Sequence, residues 1–393
     1  LNTQRSFHFE KPYFCFSKLR MRYKILFISS WFPSKIEPTN GNFVQRHAEA
    51  VGKIHEVEIL HAIGDSKQKA IFHFDDQKIN GIRTLIVYYK NTKNPLLNFT
   101  RRIQAYKKGF AKLQKPDLVH ANVLQNSMLF AVYLNRKFKI PFVVTEHWSG
   151  FLDINRHKLS KSQWFIAKKI AENASYILPV SQYLENDLKK LGLKNKMQVI
   201  ENVVDTNLFS LKNEQSEKFV FLHISNLIKL KNPQKIISAA IKLFKEFPDF
   251  ELQIGGDGDV ETLNKQIQEN KAESFIKTFP MITSKEVSEK MKNSDCFILF
   301  SDYENFPCVL LESLSTGTPA IATKVGGIPE IINDRNGVLI STNEDELYEA
   351  MKKILLKQTE FDHPEKLHQY VEDHFSIKTI GEKFDKIYRE ILN

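Results

Sequence analysis

Glu304-Asn305-Phe306-Pro307-Cys308-Val309-Leu310-Leu311-Glu312-Ser313-Leu314-Ser315-Thr316-Gly317-Thr318-Pro319-Ala320-Ile321-Ala322-Thr323-Lys324-Val325-Gly326-Gly327 is the stretch that decides the fold. A short apolar run at 296–300 ends just before Glu304. A helical segment then carries a second carboxylate, Glu312, and stops at Gly317. Pro319 leads into another apolar run at 320–322. Strand, helix and strand in that order make a βαβ unit of a parallel sheet. Open α/β sheets bind ligands outside the carboxyl ends of their strands, so Glu304 stands where chemistry is expected.

The same alternation extends in both directions. Short apolar runs at 25–28, 57–60, 85–87, 118–120, 142–145, 176–180 and 198–200 are separated by helical patterns, and the logic repeats at 219–224, 251–254, 296–300, 320–322 and 338–340. Near-continuous hydrophobicity, instead of alternation, suits parallel strands covered on both faces. The fold class is therefore α/β. The polar stretch 210–218 reads as a linker between the halves. Ser376 is a suitable N-cap for a last helix on which Ile377, Ile380, Phe384, Ile387, Tyr388 and Ile391 form one apolar stripe. Residues 1–20 lack periodicity and are expected to lie outside the fold, with a plausible start at Met21.

Composition narrows the class. A length of 393 residues exceeds one ordinary core and implies two domains. Hydrophobic and charged fractions of 42% and 26% exclude a disordered or fibrous chain. No apolar run reaches the roughly 18 to 20 residues of a spanning helix. Cys15, Cys296 and Cys308 match no metal-ligand spacing, and reduced thiols in a cytoplasmic protein are the plain expectation. The net charge of +10 comes without a nucleic-acid module, so nucleic acid is not expected as a partner. A cationic surface also suits anionic lipid or a nucleotide diphosphate. Residues 101–115 can form a basic amphipathic helix, for which a solvated surface and a membrane-facing one are both open.

The Glu-x7-Glu spacing of Glu304 and Glu312, the Gly317-Thr318-Pro319 turn and the Gly326-Gly327-Ile328-Pro329-Glu330 tail resemble retaining glycosyltransferases of family 4, with looser likeness from Met21 onward. The resemblance implies a GT-B architecture: two Rossmann-like doubly wound parallel-sheet domains facing across a cleft. It divides the chain into an acceptor-binding domain at 21–205, a nucleotide-sugar domain at 206–375, and a helix at 376–393 crossing back to the first. It further implies that Glu312 takes the ribose hydroxyls and that Glu304 lies beside the donor sugar. The helix opening at Cys308 and Val309 would offer backbone N–H groups to the diphosphate, which Pro307 cannot do. The segment Ser225-Asn226-Leu227-Ile228-Lys229-Leu230-Lys231-Asn232 is similar to the family's phosphate loop, with Lys231 on its lysine. Asn226 replaces the usual arginine, exchanging a charged fork for a neutral amide that Lys229 could partly make good.

The remaining positions follow from the same resemblance. Phe279 and Pro280 fall where the family brackets the base. Gly41 falls in the glycine loop that approaches donor phosphate, and Asn42 beside it on the acceptor side. His147 aligns with a histidine of the active cleft and is counted with Glu304 and Lys231 as catalytic. His120 and Trp148 are expected on the acceptor side, although His120, Trp148 and Trp31 also suit plain packing. Asp257 and Asp259 form no metal cluster by sequence, and the family implies no metal. The expected activity is transfer from a nucleotide-diphosphate sugar, uridine diphosphate first and guanosine diphosphate second, to a saccharide or lipid-linked glycan. The expected place is the cytoplasm, with peripheral association at the inner membrane face. An epimerase of the same architecture and a non-catalytic nucleotide- or glycan-binding protein are the alternatives.

Overall fold

The computed structural model describes residues 21–211 and 218–393, so the tail expected at 1–20 and most of the expected linker fall outside the described residues. The first sheet holds β1 (Lys24–Ser29), β2 (Glu56–Asp65), β3 (Phe72–Ile79), β4 (Ile82–Lys90), β5 (Leu118–Asn122), β6 (Phe142–Glu146) and β7 (Tyr176–Pro179), in the order β3-β4-β2-β1-β5-β6-β7. The second holds β8 (Phe219–Ser225), β9 (Phe250–Gly256), β10 (Ile276–Phe279), β11 (Cys296–Leu299), β12 (Ala320–Thr323) and β13 (Gly337–Ile340), in the order β10-β9-β8-β11-β12-β13. Helices α1 (Asn42–Gly52), α2 (Pro95–Phe110), α3 (Leu129–Phe138), α4 (Lys161–Ala171) and α5 (Gln182–Lys190) accompany the first sheet. Helices α6 (Pro233–Phe244), α7 (Val260–Glu269), α8 (Ser284–Lys292), α9 (Cys308–Ser315) and α10 (Glu344–Leu355) accompany the second, and α11 (Pro364–Phe375) and α12 (Ile377–Leu392) close the chain.

Strands β5, β6, β7, β11 and β12 are buried along their whole length, as sheets covered on both faces require. Two edge strands escape the sequence reading because they are only half-apolar. In β3, Phe72 and Phe74 alternate with polar residues, and the strand pairs antiparallel with β4. Its turn, Asn80-Gly81, has positive φ at both residues, the signature of a tight hairpin. In β10, Lys277 is exposed between buried Ile276 and buried Phe279. Conversely, 198–200 is not a strand of the sheet. It runs beside β7 through bonds from Gln198 N to Ile177 O and Ile200 N to Pro179 O.

The strand order reverses beside β1, flanked by β2 and β5, and beside β8, flanked by β9 and β11. Those are the switch points where a doubly wound sheet opens a crevice at its carboxyl edge. Helix α12 packs on the first half although it ends the chain. Ser376 caps it by accepting from Thr379 N at 3.3 Å. Ile380, Phe384, Ile387 and Tyr388 are fully buried in one cluster with Phe27, Val44, Ala48 and Ile59. The chain leaves the first half beside the point where it returns, with Val204 N donating to Phe375 O at 3.0 Å.

Candidate active site

Between the two carboxyl edges lies a cleft of about 600 Å³, within the roughly 300 to 1,000 Å³ of small-molecule sites. The first half contributes Gly41, Asn42, Phe43 and Arg46. The second contributes Asn226, Asp257, Met281, Ile282, Cys308, Val309 and Glu312. Gly41 precedes α1 at φ 78°, and a Cβ there would lie 2.5 Å from the Trp31 carbonyl carbon, so only glycine allows this loop to fold back on itself. Of the expected donor residues, Gly41, Asn226, Cys308, Val309 and Glu312 thus share one cavity with Asn42.

Glu312 lies within α9, and its carboxylate accepts from the Arg46 guanidinium of α1, across the cleft. The two side chains are 10% and 20% exposed, which keeps solvent screening of the pair weak. The Cys308 thiol is pushed up to about 12, first by burial and then by the carboxylates of Glu312 and Glu304, against the opposing pull of Arg46. It is a neutral packing group, not a nucleophile.

Glu304 lies in the loop between β11 and α9 and does not line that cavity. It forms an ion pair with Lys231 and accepts from Ser301 Oγ at 2.7 Å. Lys231 is aimed there by its neighbour: Asn232 Nδ2 donates to Phe300 O at 3.1 Å and to Asp302 Oδ1 at 2.7 Å, stapling the β8 loop to the end of β11. Gly326 at φ 55° lies against the Glu304 carbonyl, where any Cβ would collide, so the second glycine loop fixes the Glu304 backbone. Lys229 is exposed and does not line the cleft.

The two halves also bond directly around this site. Asn305 Nδ2 donates to the His147 carbonyl at 2.6 Å, and Thr39 Oγ1 to Asp257 Oδ2 at 2.8 Å. Asn202 Nδ2 donates to Phe306 O at 2.7 Å. The Glu330 carboxylate accepts from Gln182 N and Tyr183 N, both at 2.8 Å, and so caps the first turn of α5.

The expected residues His120, Phe279, Pro280, Trp148 and His147 do not line that cavity. His120 lies inside β5, paired in register with Phe27, and is fully buried. Its ring nitrogens are occupied by the Tyr388 and Thr145 hydroxyls, both at 2.6 Å, so it is a core histidine and not an acceptor group. Phe279 is buried behind Gly255 with Lys290 over its ring at 4.2 Å, and neither it nor Pro280 lines the cleft; Met281 and Ile282, just beyond, do. Trp148 stands apart, in a smaller depression of about 300 Å³ with Gln125, Asn126 and Gln163. His147 stacks on Phe43 at 4.2 Å and beside His47 at 5.4 Å. Burial, then the two neighbouring histidines, hold its pKa well below 6.5, so the ring is neutral. Neither ring nitrogen has a hydrogen-bond partner among the described residues.

Two residues of this region carry no sequence signal for their role. Arg46 is one ordinary arginine of an amphipathic helix until the fold brings Glu312 to it. Glu146 is fully buried and accepts from Leu124 N and Trp148 N, both at 2.6 Å, joining the loops after β5 and β6. Burial raises its carboxyl to about 7 against three backbone N–H groups that oppose the shift. Among the described residues no group of three or more His, Cys, Asp or Glu side chains is placed to hold a metal. No described helix is long and apolar enough to cross a membrane.

Known proteins share this plan. A solved sucrose-phosphate synthase from Thermosynechococcus elongatus matches with a TM-score of 0.76 at 18% identity, over 94% of this chain and 99% of its own. The Anabaena protein HepE in complex with UDP and glucose matches at 0.72 and 19%, over 94% and 100%. At such identities the likeness concerns the fold, which is GT-B. In sequence, the chain is 30% identical to the N-acetyl-alpha-D-glucosaminyl L-malate synthase of Bacillus anthracis over 56% of this chain and 61% of that relative, under two thirds of its length. It is 24% identical to a putative teichuronic acid biosynthesis glycosyltransferase of Bacillus subtilis over 81% and 85%. The model for Glycosyltransferase Family 4 matches residues 41–208, and that for Glycosyl transferases group 1 matches residues 204–374. With the two models meeting end to end over both halves of the fold, the chain belongs to the group 1, family 4 glycosyltransferases.

Proposed function

We propose that the protein is a retaining glycosyltransferase that moves a sugar from a nucleotide-diphosphate sugar, a UDP-sugar first, to a saccharide or lipid-linked glycan. The observation carrying this reading is that Glu312 and the amide-rich opening of α9 face one cleft with Gly41 and Asn226. A ribose diol donates two O–H bonds to a carboxylate, while a diphosphate needs N–H donors and positive charge. Neighbouring structures with bound UDP support uridine over guanosine.

In this reading the sugar reaches past the diphosphate toward Glu304 and Lys231. The acceptor oxygen bonds to the anomeric carbon as the bond to the β-phosphate oxygen breaks. The bonding pair leaves on that oxygen, which takes the acceptor proton. Lys231 stabilises the charge growing there, and Glu304 positions the sugar and steadies its positive character. His147 is placed with them because its ring nitrogens are unsatisfied beside cleft-lining Phe43, although the His147–Asn305 bond runs through backbone. Domain closure excludes water from the activated sugar. Trp148 and its separate depression supply an acceptor subsite.

A lipid-linked acceptor is supported by the first half's surface. Leu96 and Ile71 are 79% and 54% exposed, and exposed Lys107 and Lys108 follow on α2, with exposed Lys112 just past its end. The test is incubation with labelled UDP-sugars, with and without saccharide acceptors, and with anionic vesicles as a second arm. Acceptor-dependent product with retained anomeric configuration is expected, together with co-sedimentation on anionic but not neutral vesicles. Acceptor-independent epimerisation would sink the transferase reading.

A further inference from the structure

The charge inside the cleft is the wrong sign for a diphosphate. Among the described lining residues the charged ones are Arg46, Asp257 and Glu312, one cation against two anions. Asn226, the first residue after β8, brings only a neutral amide. The cation is moreover already committed, since Arg46 is bound to Glu312. Its guanidinium also lies 5.9 Å from the Phe209 ring centroid, so it is held in place on an aromatic face and does not trail into solvent.

We propose that Arg46 is this chain's diphosphate-binding guanidinium, delivered across the cleft from α1, and that the donor ribose releases it by taking its place on Glu312. The proposal rests on the nucleotide-sugar reading of the cleft. The exchange conserves pairing at every step. The carboxylate trades guanidinium N–H donors for two ribose O–H donors. The guanidinium trades a carboxylate for a diphosphate, whose paired oxygens match its fork equally well. Without the exchange, a diphosphate beside Cys308 and Val309 would meet Glu312 and Asp257 with no uncommitted cation among the described residues that line the cavity. The same logic holds next door, where Lys231 is paired with Glu304. Each of these cations thus rests on a carboxylate that the donor's neutral hydroxyls can take over, while Asp257 is held by Thr39.

A nucleoside and its diphosphate separate the two halves of the exchange. Titration calorimetry of the full chain with UDP and with uridine is run on the wild type, Arg46→Met and Arg46→Lys, with melting curves confirming that each is folded. Arg46→Met is expected to weaken UDP about tenfold or more while leaving uridine unchanged or tighter, because Glu312 is then free. Arg46→Lys keeps the charge without the fork and is expected to fall between; it carries the comparison if Arg46→Met does not fold. A UDP-to-uridine affinity ratio that stays at the wild-type value in the variants overturns the proposal and leaves the donor site standing. Equal weakening of both ligands also overturns it, since Arg46 would then act only through domain packing. Wild-type protein that binds neither ligand overturns the uridine-donor reading and the proposal with it.

Discussion

Removing the Glu304 carboxylate leaves the largely buried Lys231 ammonium without its partner, so the substitution has two separable effects. Glu304→Ala is expected to cost about 1–3 kcal/mol of stability and to lower turnover about a hundredfold or more, in melting curves and a transfer assay respectively. His120→Ala is expected to show the opposite balance. It strands the Tyr388 and Thr145 hydroxyls in the core and opens a cavity, for a loss of about 3 kcal/mol or more, with little change in turnover per folded molecule. Turnover collapsing in folded His120→Ala would return that histidine to the site. In sequence, His120 ends the apolar run 118–120 and Glu304 follows the run 296–300. What separates them is strand length: β5 continues two residues beyond His120, so its side chain falls on the face covered by α12, whereas Glu304 lies five residues past the end of β11. Glu312, singled out by the family resemblance of the Glu-x7-Glu stretch, does line the cleft. Arg46 was not legible, because a bond between residues far apart in the chain leaves no local pattern.

At the scale of elements, the central strands and the edge strands β7 and β13 were legible as apolar runs, whereas the edge strands β3 and β10 were not. Strand β3 is only partly covered and β10 exposes Lys277, so their polar residues dilute the signal. The helix α12 stripe was readable, yet the surface it covers depends on the return of the chain beside Val204. Phe384 lies fully buried there, 5.1 Å from the rings of both His47 and His120. Phe384→Ala is expected to cost about 3–5 kcal/mol, read as a lowered denaturation midpoint with an unchanged slope. A cost under about 1 kcal/mol would mean that α12 is a surface appendage and not part of the first core.

At the scale of the molecule, the cavity exists because two sheets present their carboxyl edges to each other and are held there by bonds that cross between them. Asn305 to His147, Thr39 to Asp257 and the Glu330 cap on α5 all originate in or reach the loops that carry the site. The bonds that join the halves therefore also position the loops of the site, and the Arg46–Glu312 pair is one of them. A crystal structure of the protein with UDP tests this arrangement. The expected density places the ribose hydroxyls within hydrogen-bond distance of Glu312 and the diphosphate against the Cys308 and Val309 amides. Nucleotide density elsewhere, with Glu312 still holding Arg46, would refute the donor site.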